Sequence, residues 1–227
     1  MAQFQVWEKE YQDALLVTKD DKPQNDVLRF FKYLKKTKKV DFKNLNILDL
    51  GSGTGRNSNY LASLGNNVFG MEISGSAIEL ARKRSKDLKL NVEYFNKSMG
   101  EEFPFEDNYF DLVLDVTSSN SLNEKEREKY LCEVNRTLRQ GGIFFVRALC
   151  KDGDKNAKNL LKLFPGKEKD TYQMPELNLV ERVFSQEDFQ NLYGKYFKIE
   201  KIIKRSGYAK FKGQSYKRNY LLVYMVK

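Results

Sequence analysis

The stretch at residues 47–55 reads Ile47-Leu48-Asp49-Leu50-Gly51-Ser52-Gly53-Thr54-Gly55 and places three alternating glycines directly after an apolar strand. Glycine carries no Cβ and tolerates positive φ angles, so the backbone can turn tightly out of the strand and approach a ligand closely. Asp49 stands at the carboxyl end of the strand, where it can accept a hydrogen bond from a cationic or hydroxyl group. The stretch therefore predicts a nucleoside-binding loop.

The spacing of the glycines argues against a dinucleotide cofactor. The dinucleotide fingerprint needs a third glycine three residues after the second, and that position is Arg56 here. Residues 66–72 read as a second strand that ends in Glu72, at roughly the 20-residue offset where a carboxylate usually holds a ribose diol. We therefore expect Glu72 to bind ribose hydroxyls.

Two further segments extend this pattern, residues Phe103–Val113 and the Gly141-Gly142 turn before Ile143–Val146. Together with residues 47–72 they resemble a class I S-adenosylmethionine-dependent methyltransferase over about residues 40–148. Within that superfamily, residues 55–62 and the opening Trp7-x-x-x-Tyr11 are similar to small single-domain members such as the tellurite-resistance and thiopurine-type enzymes. The resemblance implies S-adenosyl-L-methionine as cofactor, S-adenosyl-L-homocysteine as product, and a chemistry that needs no metal.

The composition fits one enzyme domain in a reducing compartment. With 227 residues, 41% of them hydrophobic, the chain can bury a core of its own, and we expect residues 1–227 to form one domain. No apolar run approaches the roughly 18 residues needed to cross a bilayer, and residues 1–5 show no secretion pattern, so we expect a cytoplasmic protein without membrane contact. Cys132 and Cys150 lack metal-ligand spacing and are predicted to be small buried hydrophobes.

The charged residues narrow the chemistry. The chain contains no histidine, which removes the side chain most often used as a general base near neutral pH. The formal net charge of +9 comes from lysine and arginine spread over residues 32–43, 82–89 and 195–218. Because there is no arginine-rich tract and no recognisable nucleic-acid module, this charge favours a solvated surface over a nucleic-acid site.

Hydrophobic periodicity predicts an α/β fold, a doubly wound three-layer sandwich whose mostly parallel, seven-stranded, Rossmann-like sheet ends in a C-terminal antiparallel hairpin. Residues 1–40 are expected to form an N-terminal helical lid, and residues 149–184 an insertion that covers the substrate pocket. The expected helices are residues 24–39, 57–64, 74–86, 123–138, 156–163 and 185–193. The expected strands are residues 47–50, 66–72, 91–95, 111–115, 143–148, 197–204 and 219–226.

In such sheets the ligand lies across the carboxyl ends of the strands. The resemblance implies that Asp49 and the amides of Gly51–Gly55 hold the methionine part and the ribose. It also implies that Ile73 packs beneath the adenine. The residues expected to bind the cofactor are Asp49, Gly51, Ser52, Gly53, Gly55, Arg56, Glu72, Ile73, Ser98, Met99 and Asp115.

Two loops depart from the family pattern. Met99 stands where an acid commonly accepts from the adenine amino group. Either Met99 packs on the ring while Ser98 or a water supplies the acceptor, or Glu101 does so from a shifted register. Many relatives carry two histidines where this chain has Asn120-Ser121. That difference indicates either a nucleophile already anionic or soft at neutral pH, or a proton acceptor from Asp115, from a lid residue or from the substrate.

The substrate side is less defined by the sequence. Trp7 and Tyr11 share one helix face, where they either cover the pocket or simply pack. Arg147 and Arg182 can each clamp an anionic substrate or form a surface ion pair. The candidate substrate-side or catalytic residues are Trp7, Tyr11, Asp115, Asn120, Arg147, Tyr172 and Arg182.

These observations predict methyl transfer to a small-molecule nucleophile. One alternative is an RNA or protein methyltransferase whose basic C-terminal hairpin, residues 198–218, contacts phosphates. A second alternative is a non-catalytic scaffold of the same fold.

Overall fold

The computed structural model describes residues 3–13, 21–39 and 42–227, so parts of the predicted lid (residues 1–2, 14–20 and 40) lie outside the described residues, as does residue 41. The helices are α1 Phe4–Gln12, α2 Asn25–Thr37, α3 Arg56–Ser63, α4 Gly75–Asp87, α5 Glu124–Thr137, α6 Lys155–Leu163 and α7 Gln186–Tyr193. The strands are β1 Asn46–Leu50, β2 Asn67–Glu72, β3 Val92–Asn96, β4 Phe110–Val116, β5 Leu138–Cys150, β6 Thr171–Met174, β7 Leu179–Arg182, β8 Lys198–Phe211 and β9 Gln214–Val226.

Seven strands form one sheet in the order β3-β2-β1-β4-β5-β9-β8. The pairs from β3 to β5 are parallel, and β9 and β8 add an antiparallel hairpin at one edge. Parallel strands need helical crossovers that cover both faces of the sheet. The predicted doubly wound fold with its C-terminal hairpin is confirmed.

Helix α2 covers one face of the sheet with an apolar stripe. Val27, Phe30 and Leu34 recur at helical spacing and are buried. Phe30 stacks on Phe145 of β5, with ring centroids 4.5 Å apart. Phe144, the preceding residue, packs in the core on the opposite face because successive strand side chains alternate. One strand therefore joins both hydrophobic layers.

Side-chain caps fix where most helices begin. Ser74 accepts from the amide of Ala77 at the start of α4, and Asn123 forms a reciprocal capping box with Glu126 at the start of α5. Helix α3 is instead preceded by Gly55 at its N-cap position, which provides no side-chain cap. Its first amides are left available at the carboxyl end of β1, where a ligand can use them.

The structure corrects several expectations about the elements. The predicted Gly141-Gly142 turn lies within β5, which follows α5 at once and carries a register shift opposite β4, as a β-bulge does. The predicted irregular insertion contains a two-stranded sheet, β6–β7. The hairpin strands run through most of residues 206–218, which were expected to be a connecting segment. Cys150 is buried as predicted, but Cys132 is exposed on α5.

The Phe30–Phe145 stack supports a first prediction. We expect Phe145→Ala to lower the free energy of unfolding by about 3–5 kcal/mol, because Phe145 is fully buried and its removal leaves a cavity between α2 and the sheet. Urea unfolding measures the loss. Phe164→Ala, at a residue that is 40% exposed, is the control and should cost less than about 1 kcal/mol. Equal costs for the two variants would contradict this packing.

Candidate functional site

A cavity of about 520 Å³ opens at the carboxyl ends of β1, β2 and β4. Its volume is typical of a small-ligand site. The predicted site residues that line it are Trp7, Tyr11, Gly51, Ser52, Gly53, Arg56, Glu72, Ile73, Ser98, Met99 and Arg147. The predicted residues that do not line it are Asp49, Gly55, Asp115, Asn120, Tyr172 and Arg182.

The glycine loop follows β1 and forms one wall of the cavity. Gly51, Gly53 and Gly55 all have positive φ, at 63°, 54° and 80°. A Cβ on Gly51 would clash with the side chain of Ser118, and a Cβ on Gly53 would lie 2.6 Å from the hydroxyl of Tyr11. Both the backbone conformation and the space therefore require glycine.

Glu72 at the end of β2 is joined to this loop. Its Oε2 accepts from the amide of Gly53 at 3.0 Å, and its Oε1 accepts from the amide of Ser74 at 2.9 Å. Burial raises the pKa of Glu72 from its ordinary value despite these hydrogen bonds. The carboxylate is thus fixed in place on the wall, and each oxygen keeps a lone pair for a ligand.

Two further acids lie behind the wall. Asp49 accepts from the hydroxyl of Ser58 at 2.6 Å, and burial raises its pKa to about 6. Asp115 accepts from the hydroxyl of Tyr130 at 2.7 Å and from the amide of Ser118 at 2.9 Å. Both side chains are almost completely buried. Both had been expected to bind the cofactor. They do not line the cavity and instead support the loops after β1 and β4.

Helix α1 lies across the cavity. Trp7 and Tyr11 both line it, with ring centroids 6.3 Å apart. Burial, followed by the charge of Glu72, raises the pKa of Tyr11 well above its ordinary value. The Tyr11 hydroxyl therefore stays protonated at neutral pH and is a hydrogen-bond donor beside the glycine loop.

The same helix is tied to two sides of the cavity. Gln3 donates to the carbonyl of Val180 in β7 at 2.8 Å and accepts from the amide of Val180 at 2.6 Å. Glu8 accepts from the hydroxyl of Ser74 at 2.7 Å and also bonds to Ser76. Helix α1 thus bridges the start of α4 and the β6–β7 sheet.

The loop after β3 contributes Lys97, Ser98 and Met99 to the wall. Met99 belongs to the hydrophobic core and also lines the cavity. Ser98 lines the cavity and accepts from the amide of Gly100 at 3.1 Å. Glu101 is exposed and lies off the wall, which argues against its acting as the acceptor from a shifted register.

The turn after β4 exposes a different residue from the one predicted. Asn120 is buried and uses its Oδ1 to accept from the amide of Leu149 at 3.2 Å. Ser121 lines the cavity instead, and its buried hydroxyl makes no hydrogen bond to the residues that the structure describes. The 3₁₀ turn over Ser119–Ser121 rotates each side chain away from its neighbour's direction.

Arg147 lines the cavity, but its guanidinium is already engaged. Its Nε lies 3.1 Å from Asp26, and its Nη1 donates to Thr117 at 2.6 Å. The guanidinium carbon also lies 3.5 Å from the ring centroid of Tyr220. Of the two alternatives expected for Arg147, these contacts favour the ion pair over an anion clamp.

The β6–β7 sheet places Glu181 on the wall, and not the predicted candidates Tyr172 and Arg182. Tyr172 is fully buried, and Arg182 is directed to Asp188 at 2.7 Å. Glu181, between Val180 and Arg182, lines the cavity and accepts from the hydroxyl of Tyr172 at 2.6 Å. Glu181 was not among the predicted candidates. Because side chains alternate along a strand, Glu181 and Arg182 point to opposite faces of β7, and only Glu181 faces the cavity.

The described part of the chain shows neither a metal-ligand cluster nor a membrane-spanning helix. No group of three or more His, Cys, Asp or Glu side chains there could hold a metal ion. No helix among these residues is long and apolar enough to span a membrane.

Comparison with known proteins adds three findings. A family model described as a methyltransferase domain matches residues 47–142. An uncharacterized methyltransferase of Schizosaccharomyces pombe is 32% identical over 103 residues, which are 45% of this chain and 70% of that relative. The ubiquinone biosynthesis O-methyltransferase of Pelagibacter ubique is 28% identical over 128 residues, which are 56% of this chain and 51% of that relative.

A solved structure extends the similarity to most of the chain. The structure of an S-adenosylmethionine-dependent methyltransferase from Methanosarcina mazei matches with a TM-score of 0.70 and 25% sequence identity. The match covers 82% of this chain and 93% of that one. It therefore includes much more than the region around the glycine loop.

The contact between the glycine loop and α1 supports a second prediction. We expect Gly53→Ala to lower the free energy of unfolding by about 1–3 kcal/mol, because the new methyl group meets the Tyr11 hydroxyl and φ is positive. Adding Tyr11→Phe removes the clashing atom and should recover part of the loss. Thermal unfolding of the single and double variants measures it, and simple additivity would contradict the contact.

The buried acid behind the loop supports a third prediction. The pKa of folded Asp49 is raised to about 6, so its ionisation costs stability as the pH rises from about 4 to 7. Asp49→Asn cannot ionise but can still accept from Ser58. We expect it to be more stable than the wild type at pH 7, by up to about 3 kcal/mol, with the difference vanishing near pH 4. Urea unfolding at both pH values tests this.

The control for this pH effect is Asp87→Asn, at an exposed position on α4. Its stability relative to the wild type should change little between the two pH values. A difference for Asp49→Asn that stays constant with pH would show that the carboxylate does not carry the effect.

Proposed function

The chain belongs to the class I S-adenosylmethionine-dependent methyltransferases, and from that premise we propose that its cavity transfers a methyl group to a small-molecule nucleophile. Family membership sets aside the non-catalytic alternative. The observation that carries the proposal is the glycine loop held against Glu72 beneath helix α1, in a cavity of about 520 Å³. S-adenosylmethionine supplies, when bound, a methyl group attached to a positively charged sulfur.

The residues present fit this cofactor. Ser52 has a buried hydroxyl that makes no hydrogen bond to the described residues and therefore has capacity for a ligand. The space beside Gly53 admits no Cβ, and Glu72 offers a carboxylate on the same wall. We assign the ribose hydroxyls to Glu72, the amino-acid part to the loop amides, and the adenine to the surface made by Ile73 and Met99.

Helix α1 has the role of a lid in this proposal. Trp7 and Tyr11 place two aromatic rings over the cavity, and the ties through Gln3 and Glu8 hold them there. A covered cavity excludes water and fixes the reactants in line, which is the main contribution a protein makes to a direct displacement. We confine the lid to α1, because α2 packs on the sheet through Phe30 and Phe145, and we assign the covering of the acceptor to residues 149–184.

A small acceptor is favoured by the volume of the cavity, about 520 Å³, part of which the cofactor would occupy. Tyr208 and Lys210, near the tip of the β8–β9 hairpin, are exposed residues at its edge. The relative named for ubiquinone biosynthesis also supports a small molecule. RNA remains an outcome of the test: binding of single-stranded RNA that falls steeply with salt would favour the hairpin as a phosphate-binding surface.

The role of Glu72 supports a fourth prediction. Calorimetry should detect binding of S-adenosylmethionine and S-adenosylhomocysteine to the wild type, and Glu72→Ala should weaken it about 100-fold, because charged hydrogen bonds to ribose hydroxyls are lost. Glu79→Ala, at an exposed position on α4, is the control and should bind as the wild type does. If the folded wild type bound neither compound, the proposed cofactor site would be rejected.

A further inference from the structure

One carboxylate on the cavity wall has no part in the proposed cofactor site. Glu181 on β7 is only 7% exposed, yet it lines the cavity with Leu149, Arg218 and Tyr220. These neighbours belong to β5 and β9, and none of them lies in the glycine loop or at the end of β2. Glu181 therefore lies on the side that the cofactor assignment leaves for the acceptor.

The Glu181 carboxylate is held by a buried chain of hydrogen bonds. Tyr172 donates to its Oε2 at 2.6 Å, and the same hydroxyl accepts from both terminal nitrogens of Arg218, at 3.1 and 3.2 Å. Arg218 is in turn held by Asp154 through its Nε at 3.1 Å. Because a tyrosine hydroxyl has one proton and Arg218 already donates to its oxygen, that proton is directed to Glu181 and fixes the orientation of the carboxylate.

The other oxygen of Glu181 is available. Its Oε1 makes no hydrogen bond to the residues that the structure describes, whereas Oε2 is used by Tyr172. Glu181 lines the cavity, and its Oε1 is not one of the buried side-chain atoms that lack a partner, so a donor on a ligand can reach it. The wall thus presents an oriented acceptor to whatever occupies this side.

The charges around Glu181 favour a positively charged partner. Asp154, Arg218 and Glu181 are two carboxylates and one guanidinium, so the group keeps one net negative charge. The other arginine on this side, Arg147, is engaged by Asp26, Thr117 and the ring of Tyr220. An anionic acceptor would find both guanidinium groups occupied and a carboxylate facing it, while Lys210, which also lines the cavity, is exposed at the hairpin, where solvent screens its charge.

We propose that the methyl acceptor carries an amino group and that Glu181 binds this group through Oε1. The proposal rests on the proposed methyltransferase function and defines the acceptor class for the same cavity. Glu181 is in this role a specificity-determining residue, and Tyr172 is a positioning residue that acts through it. The ring of Trp7 on the wall also suits a cationic amine, because π faces attract cations.

Three probes with one aromatic body test the charge preference: benzylamine, benzyl alcohol and benzoate. Their binding is measured by NMR titration of the protein, with and without saturating S-adenosylhomocysteine. We expect wild type to bind benzylamine at least about 10-fold more tightly than benzoate, since one ion pair with a held carboxylate is worth more than 1.4 kcal/mol. Equal binding, absent binding of the amine, or tighter binding of benzoate would overturn the proposal.

Variants then assign the preference to Glu181. Glu181→Gln keeps the shape but not the charge, and we expect it to lose the preference for benzylamine. Glu187→Gln, an exposed glutamate at the start of α7, is the matched control and should keep it. Tyr172→Phe retains Glu181 but releases its orientation, so it should lose a few-fold in amine binding without losing the whole preference, and it serves as second variant if Glu181→Gln does not fold. A preference that survives in folded Glu181→Gln would overturn the proposal.

The experiments distinguish a wrong cofactor site from a wrong acceptor class. If S-adenosylhomocysteine does not bind, the proposed cofactor site is wrong, while the titration without it still tests Glu181. If S-adenosylhomocysteine binds equally to wild type and Glu181→Gln and amine binding does not differ, only the acceptor class is wrong.

Discussion

The backbone turn between β1 and α3 is the constraint on which the site depends. Gly51 and Gly53 carry the chain past Ser118 and Tyr11 with no room for a Cβ, and Gly55 starts α3 without a side-chain cap. Only because Gly51 and Gly53 lack a Cβ can the ends of β1, β2 and β4 and helix α1 surround one cavity. The same turn supplies the amide that holds Glu72, so the loop and the acid define each other's position.

The sequence predicted this half of the site because residue type alone carries the information. A positive φ and a missing Cβ require glycine, and a carboxylate at a strand end needs only the strand pattern around it. The acceptor side was predicted less well, and the misses are adjacent: Ser121 lines the cavity where Asn120 was expected, and Glu181 where Arg182 was. In a strand, a shift of one residue turns a side chain to the other face.

The fold was predictable wherever burial is periodic, as in α2 and the five parallel strands. It was not predictable where tertiary pairing overrides composition. Gly141-Gly142 reads as a turn, yet pairing with β4 keeps it within a bulged strand. The four-residue strands β6 and β7 are too short and polar to show alternation. The outer part of the hairpin is polar because it extends past the end of β5, its neighbour in the sheet, and lies beside the mouth of the cavity.

The cavity wall carries charges of both signs. The side chains of Glu72 and Glu181 lie on it, with Asp49 and Asp115 behind, and the cations on it are Arg56, Lys97, Arg147, Lys210 and Arg218. In a low-dielectric cavity the nearest charges dominate, so each acid acts on the part of a ligand that contacts it, whatever the net charge of the chain. Burial makes them costly to the free protein, and a cationic ligand recovers that cost. A sulfonium cofactor and an acceptor that carries an ammonium group would repel each other. Because Glu72 and Glu181 are separate carboxylates, both cations can occupy one cavity.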